Sequence, residues 1–215
     1  MTILNTIKVD GIIFDLDGTL WDASAPCALA WNKILKERGY SNYLLNEDLI
    51  RSFSGLTIEK IFQQYFGFVP KDNQADLIKL YAKEESEVIK RNGGTLYPGV
   101  KDVLQTLKKS FKLFIVSNCL VGYIENFLAF NQFEDLFTDF ESSGNMGKPK
   151  SENIQSIIER NNLKTPVYVG DTIWDYEACE SKGVRFIYAA YGFGKVDDPL
   201  FVINNFKELL KLVLV

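Results

Sequence analysis

Short apolar runs alternate with longer amphipathic segments in this chain, and this alternation limits the possible folds more than any other feature. The first run, Val9 to Asp15, has Ile12, Ile13 and Phe14 in succession. Unbroken apolar residues are typical of a strand buried on both faces. Comparable runs lie at Lys112–Ser117, Pro166–Asp171 and Val184–Ala189, and a weaker one lies near Leu136–Phe140. Strands separated by helical patterns predict an α/β protein with a doubly wound parallel sheet.

The helical patterns of the sheet domain cover 99–109, 121–131, 151–161 and 175–182. Between about residues 23 and 94 the alternation of strands and helices stops, because no convincing strand pattern occurs there. This stretch predicts helices at Ala25–Arg38, Asn46–Phe53, Thr57–Phe66 and Asp72–Asn92, with glycines between them. We therefore predict a core domain of residues 1–20 and 96–215, into which an all-helical domain of residues 21–95, the insert, is placed.

The composition excludes several kinds of chemistry and partner. The 215 residues include no histidine, which removes Ser-His and Cys-His nucleophile pairs and histidine-ligated metals. The net charge of −4 argues against a nucleic-acid partner, and no apolar run approaches the ~20 residues of a membrane helix. Cys27, Cys119 and Cys179 are far apart and are expected to be free thiols. We expect a cytoplasmic protein, either a monomer or a homodimer.

Polar side chains cluster where the apolar runs end. In an open α/β sheet the ligand crevice lies at the carboxyl ends of the strands, so these side chains should share one edge. Several carboxylates so close together repel strongly unless a cation or a proton lies between them, and oxygen ligands of this kind suit Mg²⁺. The residues are Asp15, Asp17 and Thr19 after the first run, Ser117 and Asn118 after the second, and Asp171 and Asp175 after the third.

A lysine is expected in such a site if the substrate carries a phosphate, because it can neutralise phosphoryl oxygens. Lys148 and Lys150 flank Pro149. Proline disfavours helical geometry in the residue before it, so Lys148 should lie in a loop near the sheet edge. We predict Lys148 as the site lysine, with Lys150 as the alternative.

These motifs resemble those of the haloacid dehalogenase-like hydrolases, in the branch of phosphoglycolate phosphatase and β-phosphoglucomutase. The resemblance covers residues 15 to 175 and places a helical cap domain where the insert lies. The matching motifs are Asp15 to Thr19, Ser117 at the end of an apolar strand, Lys148-Pro149, and Gly170 to Asp175.

The resemblance implies a role for each matching residue. Asp15 would form an aspartyl-phosphate, and Asp17 would protonate the leaving oxygen and later activate water. Lys148 would position Asp15. Mg²⁺ would bind Asp15, the backbone carbonyl of Asp17, and Asp171, with support from Asp175. The substrate side would be bound by Ser117, Asn118, Thr19 and Lys148.

The function implied by the resemblance is Mg²⁺-dependent hydrolysis of a small phosphorylated metabolite, as in phosphoglycolate phosphatases. A phosphomutase of the β-phosphoglucomutase type is an alternative that shares the same core. A haloacid dehalogenase is disfavoured, because those relatives lack the second acid, here Asp17. A non-catalytic binding module and a phosphorylated receiver domain fit less well, since neither explains both Asp17 and the insert.

Overall fold

The computed structural model describes residues 6–214, and its centre is a parallel sheet with the strand order β6-β5-β2-β7-β8-β9. The strands are β1 (Ile7–Lys8), β2 (Gly11–Phe14), β3 (Trp21–Asp22), β4 (Thr95–Leu96), β5 (Lys112–Ser117), β6 (Asp139–Ser142), β7 (Pro166–Gly170), β8 (Arg185–Ala189), β9 (Val202–Ile203) and β10 (Val213–Leu214). The helices are α1 (Ser24–Glu37), α2 (Glu47–Arg51), α3 (Ile58–Tyr65), α4 (Lys71–Asn92), α5 (Val100–Leu107), α6 (Tyr123–Asn131), α7 (Ser143–Met146), α8 (Lys150–Arg160), α9 (Ile173–Glu180) and α10 (Leu209–Leu212).

Strand β2 shows why the sheet is covered on both faces. Its side chains alternate between the faces, so Ile12 and Phe14 pack into one hydrophobic cluster and Ile13 into another. The first cluster includes residues of α5 and α6, and the second includes residues of α8 and α9. Burying each such side chain contributes about 1.5–3 kcal/mol. The predicted doubly wound α/β fold is confirmed.

Helices α1–α4 have a hydrophobic cluster of their own, built around Trp31. Its ring stacks on Tyr81 of α4 at 3.7 Å between centroids and lies 4.6 Å from the ring of Phe66. The chain leaves the core along β3 and returns along β4, and these two strands pair antiparallel. A separate packing centre and a paired exit and entry support a distinct insert, although its domain boundaries stay a prediction.

The predicted boundaries differ from the observed ones where capping decides them. Helix α9 begins at Ile173 rather than Asp175, because Thr172 and Asp175 form a reciprocal capping box at its start. Helix α8 begins at Lys150, one residue earlier than predicted, with Pro149 as its N-cap. The weak strand runs from Asp139 to Ser142, later than its pattern indicated. Strands β1, β9 and β10 are two residues long, too short to show a period.

Within residues 6–214, no helix combines the length and the apolar composition that a membrane crossing needs.

Arg160 at the end of α8 connects this helix to β6, which leads to a stability prediction. Its guanidinium donates to Asp139 at 2.6 and 2.9 Å and to Glu141 at 2.9 Å. Burial raises the pKa of Asp139, but the hydrogen bonds from Arg160 and Asn161 outweigh this effect and lower it below its ordinary value. We expect Arg160→Gln to reduce the free energy of unfolding by about 1 kcal/mol at pH 7, because the pair is partly exposed.

This loss should shrink in acid. A carboxyl whose pKa is lowered on folding stabilises the protein above its unfolded pKa of about 3.9, and the stabilisation disappears as the pH falls through the lower folded value. Urea unfolding at pH 7 and below pH 4 measures both differences. Arg91→Gln is the control, since Arg91 is exposed and, among residues 6–214, its side chain hydrogen-bonds only to that of its neighbour Asn92. An equal loss at both pH values would contradict the assignment.

Candidate active site

The candidate site lies at the carboxyl ends of β5, β2 and β7, which are neighbours in the sheet. Asp15 directly follows β2 and is 2% exposed. Its backbone N–H donates to the carbonyl of Val169 in β7 at 2.9 Å, which holds the first and fourth motifs together. Strand pairing therefore brings residues more than 150 positions apart to one edge, as predicted.

Asp171 follows β7 and is fully buried under the loop of the first motif. Thr19 Oγ1 donates to its Oδ1 at 2.9 Å, and the backbone N–H of Phe193 donates to its Oδ2 at 2.8 Å. Gly18 has φ +86°, and a Cβ there would lie 2.2 Å from Asp171 Oδ2. Glycine is needed at this position both for its backbone conformation and for space.

The hydrogen bond from Thr19 changes the interpretation of this residue. Its side chain is fully buried and its hydroxyl is used by Asp171. The geometry therefore does not support the prediction that Thr19 contacts a substrate, and it favours Thr19 as a residue that orients Asp171.

The lysine of the site is Lys150, and the preference for Lys148 is wrong as to which lysine contacts Asp15. Lys150 is 4% exposed, and its Nζ lies 3.0 Å from Asp15 Oδ1 and 2.6 Å from Asp175 Oδ1. Lys148 is exposed and lies in the loop before α8. Pro149 does keep Lys148 out of the helix, as predicted. Because helical side chains point towards the N-terminus, the first residue of α8 is the one directed at the strand ends.

Opposite charges allow Asp15, Asp175 and Lys150 to be buried together. Burial alone would lower the pKa of Lys150, but Asp15 and Asp175 outweigh it, so the pKa is raised and the ammonium is kept. Burial raises the pKa of Asp15, and Lys150 opposes this shift. The lysine therefore stabilises Asp15 as a carboxylate in a site that would otherwise favour its neutral form.

Asp175 supports this arrangement from the start of α9. Its Oδ1 binds Lys150 and accepts from the Tyr168 hydroxyl at 3.2 Å. Its Oδ2 accepts from the backbone and the hydroxyl of Thr172, at 3.0 and 2.7 Å. Its contacts with Tyr168 and with the α9 cap hold Asp175 against Lys150, so Asp175 fixes the lysine in place.

Asp17 faces away from Lys150 towards α6. The hydroxyl of Tyr123 donates to its Oδ1 at 2.8 Å. Burial raises the pKa of Asp17 to about 8, more than the Tyr123 hydrogen bond lowers it. A carboxyl with this pKa is mostly protonated at neutral pH, as a proton donor must be.

The acidic groups also suit a hard cation. Oxygens of Asp15, Asp171 and Asp175, all buried, lie within 4.8 Å of one another. A donor set of carboxylate oxygens is what Mg²⁺ prefers, so the residues fit the predicted metal. The side chain of Asp17 is not part of this group, and its backbone carbonyl accepts from Ser54 Oγ at 3.2 Å.

A cavity of about 120 Å³ opens beside these groups, between the core and the insert. Asp15, Asp17, Ser117 and Asn118 line it from the core. Asn118 also donates to the carbonyl of Gly55 at 2.8 Å, in the loop between α2 and α3. Together with Ser54, this contact closes the insert over the site.

Several cavity residues had no recognisable motif in the sequence. Most come from the insert and from α6, where helical spacing alone predicts them as packing residues. Trp21 is fully buried against Tyr123 and Phe127. Trp174 lies under Lys60 of the insert, with the ammonium 4.1 Å from the ring centroid. Polar and aromatic residues among the cavity residues without a motif include Cys27, Trp31, Arg51, Tyr81 and Glu85 of the insert, Tyr123 of α6, and Phe193 in the loop after β8.

Residues 12–189 match the model of the family described as haloacid dehalogenase-like hydrolase. The chain belongs to this family. The match spans the three strand ends, Lys150 and the whole insert, so the resemblance drawn from the motifs is confirmed.

Curated relatives over nearly the full length are phosphoglycolate phosphatases. The protein of Aquifex aeolicus is 28% identical over 210 residues, which cover 94% of this chain and 95% of the relative. That of Aliivibrio fischeri is 27% identical over 218 residues, with the same coverage. This chain therefore lies beside the phosphoglycolate phosphatase branch of the family.

Solved structures agree on the fold. A haloacid dehalogenase-like family hydrolase from Streptococcus pneumoniae superposes with a TM-score of 0.82 at 23% identity, over 94% of this chain and 97% of that one. A predicted phosphatase from Clostridium acetobutylicum gives a TM-score of 0.80 at 21% identity, over 94% and 97%. The arrangement of core and insert is thus common to these proteins.

The two lysines provide a direct test of the site geometry. Lys150→Met removes the cation between two buried carboxylates, so we expect a loss of about 3 kcal/mol in the free energy of unfolding. Lys148→Met changes an exposed side chain and should stay within about 0.5 kcal/mol of the wild type. Urea unfolding in buffer with a chelator measures both. Equal losses in the two variants would contradict the placement of Lys150.

Proposed function

We propose that this protein is a Mg²⁺-dependent phosphatase that hydrolyses a small phosphorylated metabolite through an aspartyl-phosphate on Asp15. The observation that carries this proposal is the division of roles between the two aspartates of the first motif. Asp15 is kept ionised by Lys150, while burial keeps Asp17 protonated beside the same cavity. Pairs of acids whose environments separate their pKa values are typical of acid–base and nucleophile assignments.

In the first step the carboxylate of Asp15 attacks phosphorus in line with the leaving oxygen. The bond between phosphorus and the leaving oxygen breaks as that oxygen receives the proton of Asp17. Lys150, with Asp175 behind it, holds the attacking carboxylate in one orientation.

In the second step Asp17, now a carboxylate, takes a proton from water. The resulting hydroxide attacks phosphorus, the bond to Asp15 breaks, and inorganic phosphate leaves. Tyr123 orients Asp17 through both steps by donating to Oδ1, which leaves Oδ2 to carry the proton.

Phosphoryl oxygens would be bound by Ser117 and Asn118, which line the cavity at the end of β5. Mg²⁺ would be held by Asp15, Asp171 and the carbonyl of Asp17, with Asp175 beside them, and when bound it would neutralise phosphoryl charge. The insert excludes bulk water, which strengthens these interactions.

Two related activities are weaker candidates. A dehalogenase has no need for a protonated acid at Asp17, and a phosphomutase would return the phosphoryl group to its substrate. Trapping a bisphosphate intermediate would favour the mutase. The cytoplasmic location and the choice between monomer and homodimer stay predictions.

Asp15→Asn should abolish the hydrolysis of para-nitrophenyl phosphate, because an amide is not a nucleophile towards phosphorus. Chelation of the wild type should also abolish it, and added Mg²⁺ should restore it. The matched control is Asp135→Asn, an exposed aspartate away from the cavity, which should retain full activity. Turnover by Asp15→Asn, or by the chelated enzyme, would refute the mechanism.

The loss of activity in Asp17→Asn should depend on how strongly the leaving group needs a proton. Because kcat/KM reports the first step alone, we expect kcat/KM for an alkyl phosphate to fall by about 10²–10⁴, and kcat/KM for para-nitrophenyl phosphate to fall much less, since nitrophenolate leaves without a proton. Steady-state kinetics on both substrates gives the ratio. If kcat/KM falls equally for both substrates, Asp17 is not the acid.

A further inference from the structure

The cavity continues beyond the reacting groups into the insert, and the side chains there differ from those expected around a second anion. Helices α1 and α4 contribute Cys27, Trp31, Tyr81 and Glu85 to its wall. These are aromatic rings, a thiol and a carboxylic acid. They form the part of the cavity that a leaving group would occupy while its phosphate lies at Asp15.

Glu85 is the polar centre of this wall and has unused hydrogen-bonding capacity. Only 8% of it is exposed, and both hydrogen bonds that it receives from the described residues reach Oε1. They come from the Tyr81 hydroxyl and from Cys27 Sγ, which lies 3.7 Å away. Oε2 therefore remains available to a donor on the ligand. Ser24 Oγ, in the same cavity wall, is also buried and has no hydrogen-bond partner among the described residues.

Glu85 also lies close to the reacting acid. The hydroxyl of Tyr123 donates to Asp17 and is 3.8 Å from Cys27 Sγ, which in turn contacts Glu85. Asp15, Asp17 and Glu85 line the same cavity, so a leaving group of a few atoms on a phosphate at Asp15 can extend towards Glu85. The cavity has room beside the reacting groups for a short group of this kind.

The positive charge available in this wall is already neutralised. Among the described residues that line the cavity, the one cationic side chain is Arg51. Its guanidinium donates to Asp22 at 2.9 and 3.1 Å, to Asp48 at 2.8 Å and to Glu47 at 3.1 Å. A carboxylate on the leaving group would meet Glu85 without a free cation to balance it.

We propose that the leaving group carries an ammonium group that binds Glu85, so that the substrates are phosphate monoesters of short amino alcohols. An ammonium donates to Oε2 and is attracted by the carboxylate. Hydrolysis consumes one water, breaks the phosphorus–oxygen bond, and releases phosphate and the amino alcohol. This inference rests on the proposed phosphatase function, and it separates this chain from relatives that act on phosphoglycolate.

The test uses three esters of nearly equal size that differ in one terminal group. They are 2-aminoethyl phosphate, 2-hydroxyethyl phosphate and 2-phosphoglycolate, which end in an ammonium, a hydroxyl and a carboxylate. We expect the wild type with Mg²⁺ at pH 7.5 to prefer them in that order, with about a tenfold step in kcat/KM at each change, as one good charge contact gives. Burial raises the pKa of Glu85 to about 7, so most of it is ionised in this assay.

Glu85→Gln should reduce the preference for the ammonium ester over the hydroxyl ester to near one, and should raise the relative rate of the carboxylate ester. Because this is a ratio within one enzyme sample, it does not depend on how much of the variant is folded. Glu87→Gln is the matched control, since Glu87 lies on the same helix but is exposed, and it should keep the wild-type ratio.

Each result that contradicts the inference has a different meaning. If the wild type hydrolyses the carboxylate ester as well as the hydroxyl ester, or if Glu85→Gln keeps the wild-type ratio, the inference is wrong. A preference for the carboxylate ester that disappears in Arg51→Gln would assign the leaving-group contact to Arg51 instead. If the wild type hydrolyses none of these esters but does hydrolyse para-nitrophenyl phosphate, this inference fails and the phosphatase function stands. Failure on the aryl phosphate as well refutes both.

Discussion

One buried ammonium makes the rest of this site possible. Lys150 is the only fully charged basic side chain among the buried residues of the described range 6–214, and it lies between Asp15 and Asp175. Without it, burying both carboxylates would cost several kcal/mol for each charge. The same ion pair joins α8, α9 and the end of β2, so the charge balance and the packing of three elements depend on a single side chain.

The insert completes the site through polar contacts as well as by covering it. The loop after α2 donates to the carbonyl of Asp17 through Ser54 and accepts from Asn118 through Gly55. Both contacts are made to motif residues, so the position of the insert and the geometry of the motifs are linked. The insert also contributes the carboxylic acid of Glu85 to the cavity, and in the proposed reaction this acid selects the leaving group.

Much of the core could be predicted from the sequence because its signals are local. Unbroken apolar runs revealed β2, β5, β7 and β8, and the residues after three of these runs meet at one edge because parallel strands align their ends. The choice of lysine could not be read in the same way. It depends on the direction of a side chain in the first turn of α8, and the proline rule applies only to the backbone of the residue before it.

Glu85 and Tyr123 were beyond prediction for a different reason. Each lies on an amphipathic helix, and its spacing is that of an ordinary packing residue. Only the packing of α4 against α1 and α6, and the contact of Tyr123 with Asp17, reveal that these polar groups face a cavity.

The short ribbon of β3 and β4 keeps the two ends of the insert next to each other, which affects how the insert can be exchanged. Trp21 pairs with Leu96, and Asp22 pairs with Thr95, so the two points at which the insert joins the core are hydrogen-bonded neighbours. The distance that a connecting segment must bridge is therefore only one strand spacing, about 5 Å. A tight hairpin turn would span it as well as four helices do. The core can therefore carry helical inserts of different size and chemistry. A new leaving-group pocket can be acquired without altering the path of the strands that hold the carboxylates.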